Sequence, residues 1–548
     1  MKKLLFILNC GILLLKEWCR KRRKLLKRAL LVCAALMAIG ILTMAGMYIY
    51  FNNKYSSAIV LDGAYADISL MDFTFSDRDV NGVYDEENAI RINVTDGQVL
   101  AQSEKVLADE GNIILNSEGT YVLSGELSGG SLIVAAGEGD KLHIVLDGFV
   151  INNENGPAVY IKSSDKVYIT LASGTINRLS DGKAYEYADG ETSVDAALFS
   201  KSDLSINGAG TLVVEGNYKH GIVSKDDLVI GSGIYEITSA KKALCGKDCV
   251  KIKNCDMTLK AGTDGICSDN DEEAHRGFVY IENGNVDIVC GNDGIQAETI
   301  LRLEEPAITV CSGGGSANAP VRNEDSFGRG SREEGESETT EATEATESMK
   351  GLKAVGDILI TGGIYYIDSV DDAIHANNSI RIEGGYLELK SGDDGIHGDN
   401  TLSIAEGKIN IEKCYEGLEA YQIMIAGGGI FVVSSDDGVN ASCGSEEMSA
   451  WENIKRFFVH GLNGKLDITG GVLAVNTEGD GLDSNGVMSI SGGKTYVAGP
   501  TGGGNDAFDC DYMTISVSES QEGDEFVIEI TKEQFVAIKA DWAADDIK

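Results

Sequence analysis

Residues 351–420 read GLKAVGDILITGGIYYIDSVDDAIHANNSIRIEGGYLELKSGDDGIHGDNTLSIAEGKINIEKCYEGLEA. Within this segment, a small residue followed by a large aliphatic residue recurs every 22 residues, at Gly351-Leu352, Ala373-Ile374, Gly395-Ile396 and Gly417-Leu418. A fixed period of this length is typical of stacked supersecondary units and not of one globular core. The repeat therefore predicts an elongated, solenoid-like domain.

The same pair of residues recurs on both sides of this segment. Copies occur at Gly221-Ile222, Ala243-Leu244, Gly265-Ile266, Gly294-Ile295, Gly438-Val439, Gly481-Leu482 and Ala507-Phe508. Each unit also carries a second signature, I-x-I-x-G-G followed by an alternating strand, as in residues 380–389. Three short strands per unit, with no helical pattern between them, predict an all-β fold, a parallel β-helix with about 22 residues per coil. The general preference of parallel connections makes this β-helix right-handed.

The repeat and the composition divide the chain into segments. We predict a β-helix domain over residues 111–516, a stalk and N-terminal cap over 52–110, and a C-terminal cap or tail over 517–548. Two segments interrupt the period: residues 312–348, rich in Gly, Ser, Glu and Thr, and residues 443–463. The first has the composition of a disordered acidic insertion.

The N-terminal region predicts a membrane anchor. Residues 29–51 are 23 residues without a charge, which is long enough for a helix to cross a bilayer. The basic residues of segment 1–28 would stay in the cytoplasm, so the domain that follows would be extracellular on a single-pass cell-membrane protein. A cleaved signal peptide is the alternative, but no clear small-x-small site follows the apolar run.

The charge of the chain indicates which partners it can have. Residues 1–51 hold ten Lys or Arg and one Glu, which leaves 36 basic against 85 acidic side chains outside, a formal charge of −49. Such a surface repels nucleic acid and attracts cations. We therefore expect no nucleic-acid partner.

Acidic residues precede most copies of the repeated pair. This set, called the acidic ladder below, comprises Asp264, Asp293, Asp372, Asp394, Glu416, Asp437, Asp480 and Asp506. Equivalent positions on successive coils lie about 4.8 Å apart, where unit charges repel by roughly 3 to 4 kcal/mol at an effective dielectric near 20. Clustered carboxylates of this kind suit calcium. The alternative is a series of solvated, turn-forming acidic residues.

A second file of side chains should face outwards beside the ladder. This outward strip comprises Cys245, Cys267, Gln296, Lys353, His375, His397, Glu419, Asn440, Asp483 and Asp509. A polysaccharide could lie along it, and we predict that residues 353, 375, 397, 419 and 440 contact carbohydrate; a plain solvated sheet face is the alternative. Cys245 and Cys267 could form a disulfide or remain thiols. His375 and His397 lack an evident second shell, which favours surface residues over a zinc site.

The sequence gives little support for catalysis. Pectate lyases and polygalacturonases share the predicted architecture, but no column of Arg residues runs beside the acidic ladder. No nucleophile motif, phosphate-binding loop or dinucleotide fingerprint is present either. We therefore expect a protein that is not an enzyme, with a pectin-degrading activity as the alternative.

Several blocks resemble a bacterial carbohydrate-binding family. They are SDRDVNGVYDEENAIRI (76–92), DAALFSKSDLSINGAGTLVVEGNYKHGIVSKDDLVI (195–230) and TDGICSDND (263–271). The best-known type of this family is a calcium-containing parallel β-helix that binds polygalacturonate at the cell surface. The resemblance implies calcium in the coil turns, and the acidic blocks of the family contain Asp226, Asp227, Asp264, Asp269, Asp293, Asp394 and Asp437.

Together, the residues and the resemblance predict a calcium-dependent, cell-surface protein that binds acidic polysaccharide such as polygalacturonate or pectin. An acidic protein and an acidic polymer repel each other unless a divalent ion lies between them. A structural surface or spore-coat protein without a glycan ligand is a further alternative, because the chain has only three Trp residues for stacking on sugars.

Overall fold

The structure is a computed structural model of the 548-residue chain. It describes Lys16 and residues 68–95, 98–101, 103–186, 193–320, 348–442, 464–500, 504–515 and 527–544, without the side chains of 511–515, 543 and 544. The predicted anchor (29–51), most of the predicted acidic insertion (321–347) and the interruption at 443–463 lie outside these residues. Two compact units are distinguished, and every described residue except Lys16 belongs to the one formed by Tyr65–Ser445 and Asn463–Lys548.

Strands dominate the described residues. The first twenty are β1 (Ile90–Thr95), β2 (Gln98–Leu100), β3 (Val106–Asp109), β4 (Asn112–Leu115), β5 (Gly119–Ser128), β6 (Leu132–Ala135), β7 (Lys141–Asn153), β8 (Val159–Ser163), β9 (Lys166–Leu171), β10 (Ile176–Asp181), β11 (Ala196–Ser200), β12 (Asp203–Gly208), β13 (Thr211–Gly216), β14 (His220–Ser224), β15 (Asp227–Ile230), β16 (Gly233–Ser239), β17 (Leu244–Gly246), β18 (Cys249–Ile252), β19 (Cys255–Ala261) and β20 (Ile266–Ser268). The next twenty are β21 (Phe278–Cys290), β22 (Ile295–Ala297), β23 (Ile300–Ser312), β24 (Leu352–Ala354), β25 (Asp357–Ile360), β26 (Ile364–Ser369), β27 (Ile374–Ala376), β28 (Ser379–Ile382), β29 (Tyr386–Ser391), β30 (Ile396–Ile404), β31 (Lys408–Cys414), β32 (Leu418–Ile425), β33 (Gly429–Ser434), β34 (Val439–Ala441), β35 (Lys465–Ile468), β36 (Val472–Asn476), β37 (Leu482–Ile490), β38 (Lys494–Ala498), β39 (Phe508–Ile515) and β40 (Val527–Glu529).

Short helical segments complete the described chain. Two 3-10 turns cover Ile68–Leu70 and Ser316–Asn318, and two α-helices cover Asp77–Val80 and Lys532–Ala544. In this part of the chain, no helix combines the length and the apolar character needed to span a bilayer.

The strands stack in three parallel sheets, each of which receives one strand from every coil. Sheet A starts at β4 and follows the repeated small-plus-aliphatic pair through β24, β27, β30 and β32 to β39. Sheet B runs from β1 and β5 to β39, and sheet C runs from the second half of β5 to β40. The only antiparallel pairs among the described strands are β1 with β2 and β3 with β4. The prediction of an all-β, solenoid-like fold is confirmed.

The 22-residue period sets the register of sheet A. Leu352 pairs with Ile374, which pairs with Ile396, and all three side chains are fully buried. The glycines before Leu352 and Ile396 allow close packing, because a Cβ at Gly351 or Gly395 would lie 2.5 or 2.6 Å from a carbonyl oxygen of the next coil. Stacked aliphatic side chains thus form one continuous core along the coils.

The N-terminal segment packs along the outer face of sheet B. The Lys251 ammonium donates to the backbone carbonyls of Asp72 (3.2 Å) and Thr74 (2.8 Å). Farther along, the Asn207 amide donates to the carbonyl of Asp79, whose carboxylate forms an ion pair with Lys166 at 2.9 Å. The predicted cap comprises residues 52–110. Part of it therefore contacts several coils on the outer face of sheet B.

The C-terminal helix covers sheet C. Phe535 and Trp542 of this helix pack against Phe431 of β33, with ring centroids 6.1 and 4.6 Å away. A helix laid over an outward-facing Phe removes apolar surface from water at this end of the solenoid.

Acid should weaken the contact between the N-terminal segment and sheet B. Burial, and next the positive charge of Arg78, lower the pKa of His143 to about 4, and its Nε2 lies 2.8 Å from Oγ1 of Thr170. In the unfolded chain, the pKa of a histidine is about 6.5. The free energy of unfolding that neutral His143 contributes is therefore fully present above pH 6.5 and is lost as the pH falls towards 4. The loss amounts to at most about 3 kcal/mol. Melting the full-length protein at pH 7 and pH 4.5 should show a smaller acid loss for His143→Gln than for the wild type. An equal loss would contradict a buried neutral imidazole.

Candidate functional site

The acidic ladder lies where each coil enters sheet A, and its backbone is regularly bonded. The carbonyls of Asp372, Asp394 and Glu416 each accept a hydrogen bond from a backbone N–H of the preceding coil, at 3.0, 3.0 and 2.9 Å. The carboxylates bond in the opposite direction: Oδ1 of Asp372 accepts the N–H of Asp394 (3.0 Å), and Oδ1 of Asp394 accepts that of Glu416 (3.3 Å). Asp437 binds the N–H of Asp480 in the same way, at 2.7 Å. In each of these carboxylates, one oxygen atom therefore accepts a backbone hydrogen bond that connects neighbouring coils.

Two lysines occupy ladder positions: Lys242, where the sequence already departs from the acidic motif, and Lys350, which the acidic ladder read from the sequence did not include. Lys350 precedes Gly351, and its Nζ lies 2.6 Å from Oδ2 of Asp372 and 3.0 Å from Asp371. Lys242 lies 3.6 Å from Asp264 in the same way. The sequence signal was available, because both lysines stand at the acidic position of the repeat.

Four ladder carboxylates are buried, which contradicts the alternative of solvated turn residues at these positions. Asp264, Asp293, Asp372 and Asp394 are 8%, 2%, 2% and 5% exposed. Burial costs a carboxylate its hydration, so nearby cations become necessary. Lys353 provides one for Asp293, at 3.1 Å. For Asp372, burial alone raises the pKa, but Lys350 and the adjacent imidazoles outweigh it, and the net pKa is low.

Among the described residues, the carboxylates in the C-terminal part of the ladder form no such ion pair. Burial, and next the neighbouring carboxylates, raise the pKa of Glu416 to about 8 and that of Asp437 to about 7. Burial and then Asp509 raise the pKa of Asp483 to about 6. The charged groups that most affect Asp437, Asp480 and Asp483 are all carboxylates. Asp437, Asp480 and Asp483 are called the C-terminal carboxylate cluster below, and Asp506 follows it at an exposed position.

The register places the outward strip in one file beside the ladder. Lys353 pairs with His375, His375 with His397, His397 with Glu419 and Glu419 with Asn440. These side chains are partly buried, and several contact the ladder directly. The Asn440 amide, for example, donates to Oε2 of Glu416 at 2.9 Å. The strip is therefore a bonded polar network with one accessible side.

The histidines of the strip connect neighbouring coils. His375 Nδ1 lies 2.8 Å from Oδ2 of Asp372, and His397 Nδ1 lies 3.1 Å from Oδ2 of Asp394 and 3.0 Å from Oε2 of Glu419. Burial alone lowers the pKa of His397, but the carboxylates around it outweigh burial and raise the net pKa. These five side chains form two potential metal-binding triads that share His397.

Three predicted metal residues lie at the turn between sheets A and B. Asp226 lies beside Asp248, and burial together with this neighbour raises its pKa to about 7. Oδ1 of Asp227 is 3.2 Å from the Cys249 thiol, and Asp269 is 3.7 Å from Lys242. Asp269 therefore shares Lys242 with the ladder residue Asp264, which lies 3.6 Å from the same ammonium.

Cys245 and Cys267 pair in sheet A and are both buried. Both thiols are free in the structure. Mutual contact and burial hold the pKa of the Cys245 thiol well above its usual range. The thiol form is therefore stable at neutral pH.

Stacked parallel coils with one continuous acidic edge define a β-solenoid protein with a polar, accessible strip. The chain belongs to the carbohydrate-binding domain-containing protein family, whose model matches residues 109–395 and 393–541. A carbohydrate-binding domain-containing protein of Acetivibrio thermocellus is 32% identical over 226 residues, which are 40% of this chain and 79% of that protein. A solved polysaccharide lyase-like protein from C. thermocellum, a gadolinium derivative, is 31% identical with a TM-score of 0.40, and the match covers 41% of this chain and 91% of that one.

Proposed function

We propose that this protein binds acidic polysaccharide, such as polygalacturonate or pectin, through calcium ions held at the acidic edge. The observation that supports this most strongly is the C-terminal carboxylate cluster, whose most influential charged neighbours are other carboxylates. Membership of the carbohydrate-binding family supports a polysaccharide as the ligand.

The donor groups of the cluster fit calcium. Asp437, Asp480 and Asp483 offer only oxygen atoms, and calcium takes six to eight oxygen ligands in tolerant geometry. The raised pKa of Asp437, about 7, indicates a carboxylate that a divalent ion would favour in its ionised form. Calcium would neutralise the cluster and could share its remaining positions with carboxylates of the polymer.

The outward strip would contact the sugar chain. Lys353, His375, His397, Glu419 and Asn440 supply donors and acceptors beside the ladder. Spacing of about 4.8 Å between coils gives an extended row of repeated polar groups, which suits a repetitive polymer. We propose in addition that the coils wind as a right-handed parallel β-helix.

We further propose that residues 29–51 anchor the domain at the outer side of the cell membrane. The support is the uncharged 23-residue run and the basic residues before it. Such a position would present the acidic edge to polysaccharide outside the cell.

A pectin-cleaving activity is the second candidate, because lysines lie beside buried carboxylates. A lyase needs a neutral base, however. Burial alone lowers the pKa of Lys350, but Asp372 and Asp371 outweigh burial and raise it, so the ammonium stays protonated. This electrostatic arrangement supports binding over β-elimination.

Incubation with polygalacturonate and calcium should therefore release no unsaturated or reducing ends above a heat-killed control. Ultraviolet absorbance of the unsaturated ends and a reducing-sugar assay would measure the two kinds of product. Steady product formation that disappears in Lys350→Met would show that the protein is a pectin-cleaving enzyme.

A glycan panel would test the ligand class of the full-length protein. Polygalacturonate should bind in calcium, highly methyl-esterified pectin should bind weakly, and neutral glucans should not bind, because calcium bridging needs free carboxylates. Equal binding to neutral and acidic polymers would contradict the proposal.

A further inference from the structure

Two histidines stack on successive coils of the strip beside carboxylates. His375 lies in β27 and His397 in β30, and their ring centroids are 4.8 Å apart. Nδ1 of His397 lies 3.1 Å from Asp394 and 3.0 Å from Glu419. A His375 ring nitrogen and a His397 ring nitrogen also belong to one triad, with Asp372, whose candidate ligand atoms all lie within 4.8 Å of one another.

The second nitrogen of each ring also faces an oxygen. Nε2 of His375 lies 3.1 Å from Oδ1 of Asn377, and Nε2 of His397 lies 3.4 Å from Oδ1 of Asp399. A metal-bound histidine usually donates its other N–H to such an oxygen, which fixes the ring. The sequence disfavoured a zinc site because no oxygen that could accept the other N–H of each ring was evident. The structure supplies such an oxygen for both rings.

We propose that the site between His375 and His397 binds one divalent transition-metal ion of the zinc class. Its ligands are Nδ1 of His397 and the carboxylates of Asp394 and Glu419, which form one group, and a ring nitrogen of His375, which lies within 4.8 Å of a ring nitrogen of His397. In a tetrahedral site, metal bonds of 2.0 to 2.2 Å place neighbouring ligand atoms roughly 3.3 to 3.6 Å apart, a few tenths of an ångström more than the N–O separations at His397. Mixed imidazole and carboxylate donors suit zinc, copper or nickel, and calcium prefers oxygen alone.

The ion would connect three successive coils, because His375, His397 and Glu419 belong to β27, β30 and β32. These side chains are 13%, 14% and 16% exposed, so an ion can enter from the strip. The C-terminal carboxylate cluster contains none of these ligands, whereas His375, His397 and Glu419 are also proposed to contact the sugar chain, so the zinc site and the polysaccharide share this part of the strip.

Equilibrium dialysis of the full-length protein against zinc, with calcium in large excess, tests the site. The wild type should retain one zinc ion per chain. His397→Gln should weaken zinc binding by at least about 100-fold, and Asp399→Asn, which alters only the oxygen behind the ring, by about 10- to 100-fold. His275→Gln removes an exposed histidine and should change nothing, and Asp437→Asn should also keep the zinc.

Copper in place of zinc gives a measurement that needs no variant. The electron paramagnetic resonance spectrum of the wild type with one equivalent of Cu(II) should show hyperfine coupling to two imidazole nitrogens. An all-oxygen spectrum would overturn the inference, as would zinc binding that is equal in the wild type and in the His375→Gln, His397→Gln double variant. Either result would leave calcium binding at the C-terminal carboxylate cluster untouched, and loss of calcium binding in Asp437→Asn would leave the zinc site untouched.

Discussion

Replacing the C-terminal carboxylate cluster should abolish the calcium dependence of both folding and polymer binding. In the triple variant Asp437→Asn, Asp480→Asn, Asp483→Asn, the side chains keep their size and the Oδ1 atom that accepts a backbone N–H. Calcium at 100 times its dissociation constant should stabilise the wild type by about 2.7 kcal/mol, and the variant should lose nearly all of this. Binding to polygalacturonate should weaken by about 100-fold or more.

Without calcium, the same variant should be more stable than the wild type, because burial, and next the neighbouring carboxylates, disfavour the charged form and raise the pKa of Asp437 and Asp483. A matched control, Asp109→Asn, Asp147→Asn, Asp287→Asn, removes the same charge from exposed positions. Thermal melts with calcium and with chelator measure both effects. A triple variant that still gains stability from calcium, or that binds the polymer as tightly as before, would exclude this cluster.

Gly417→Val should destabilise the solenoid by about 3 kcal/mol or more. A Cβ at this position would lie 2.2 Å from the backbone oxygen of Gly438 and 2.4 Å from a methyl group of Val432. The coils cannot separate to make room, because each is hydrogen-bonded to the next, as in the bond from Gly417 N to Asp437 O at 3.0 Å. The effect should appear in denaturant unfolding and as a lower melting temperature.

Gly139→Val is the control for this substitution. Gly139 is exposed in a turn, and a Cβ there would meet nothing within 4 Å. Its free energy of unfolding should change by less than about 0.5 kcal/mol. Equal effects of the two substitutions would show that the small residue of the repeat is not needed for coil stacking.

The architecture could be predicted because the repeat has a physical cause that acts locally. Each coil places an aliphatic side chain over the one below, as in Leu352, Ile374 and Ile396, and the small residue before it leaves room for the next backbone. Period-two alternation then defined which residues face outwards. For this reason the outward strip could be read from the sequence in the correct order.

The electrostatics of the edge could not be predicted from the ladder alone. Burial of Asp293 and Asp372 depends on the neighbouring coils and on lysines that bind them, Lys353 and Lys350. The period of the repeat shows that these carboxylates lie on adjacent coils. It does not show which of them form an ion pair with a lysine. The two halves of the ladder therefore looked equivalent in sequence and differ in structure.

Long-range packing of the N-terminal segment left no signal in the sequence. Asp72 and Lys251 are 179 residues apart, and their contact follows no period. Likewise, the oxygens behind His375 and His397 come from Asn377 and Asp399, two residues later in each coil. The sequence shows these residues, but only the turn geometry brings them to the rings.

In the proposed function, calcium links the acidic edge to an acidic polymer. The most direct test is a pull-down of the full-length protein on insoluble polygalacturonate in calcium, in magnesium and in chelator. We predict strong retention in calcium, weak retention in magnesium, whose small octahedral sphere suits this edge poorly, and none in chelator. Equal retention in calcium and in chelator would contradict a calcium link between the acidic edge and the polymer.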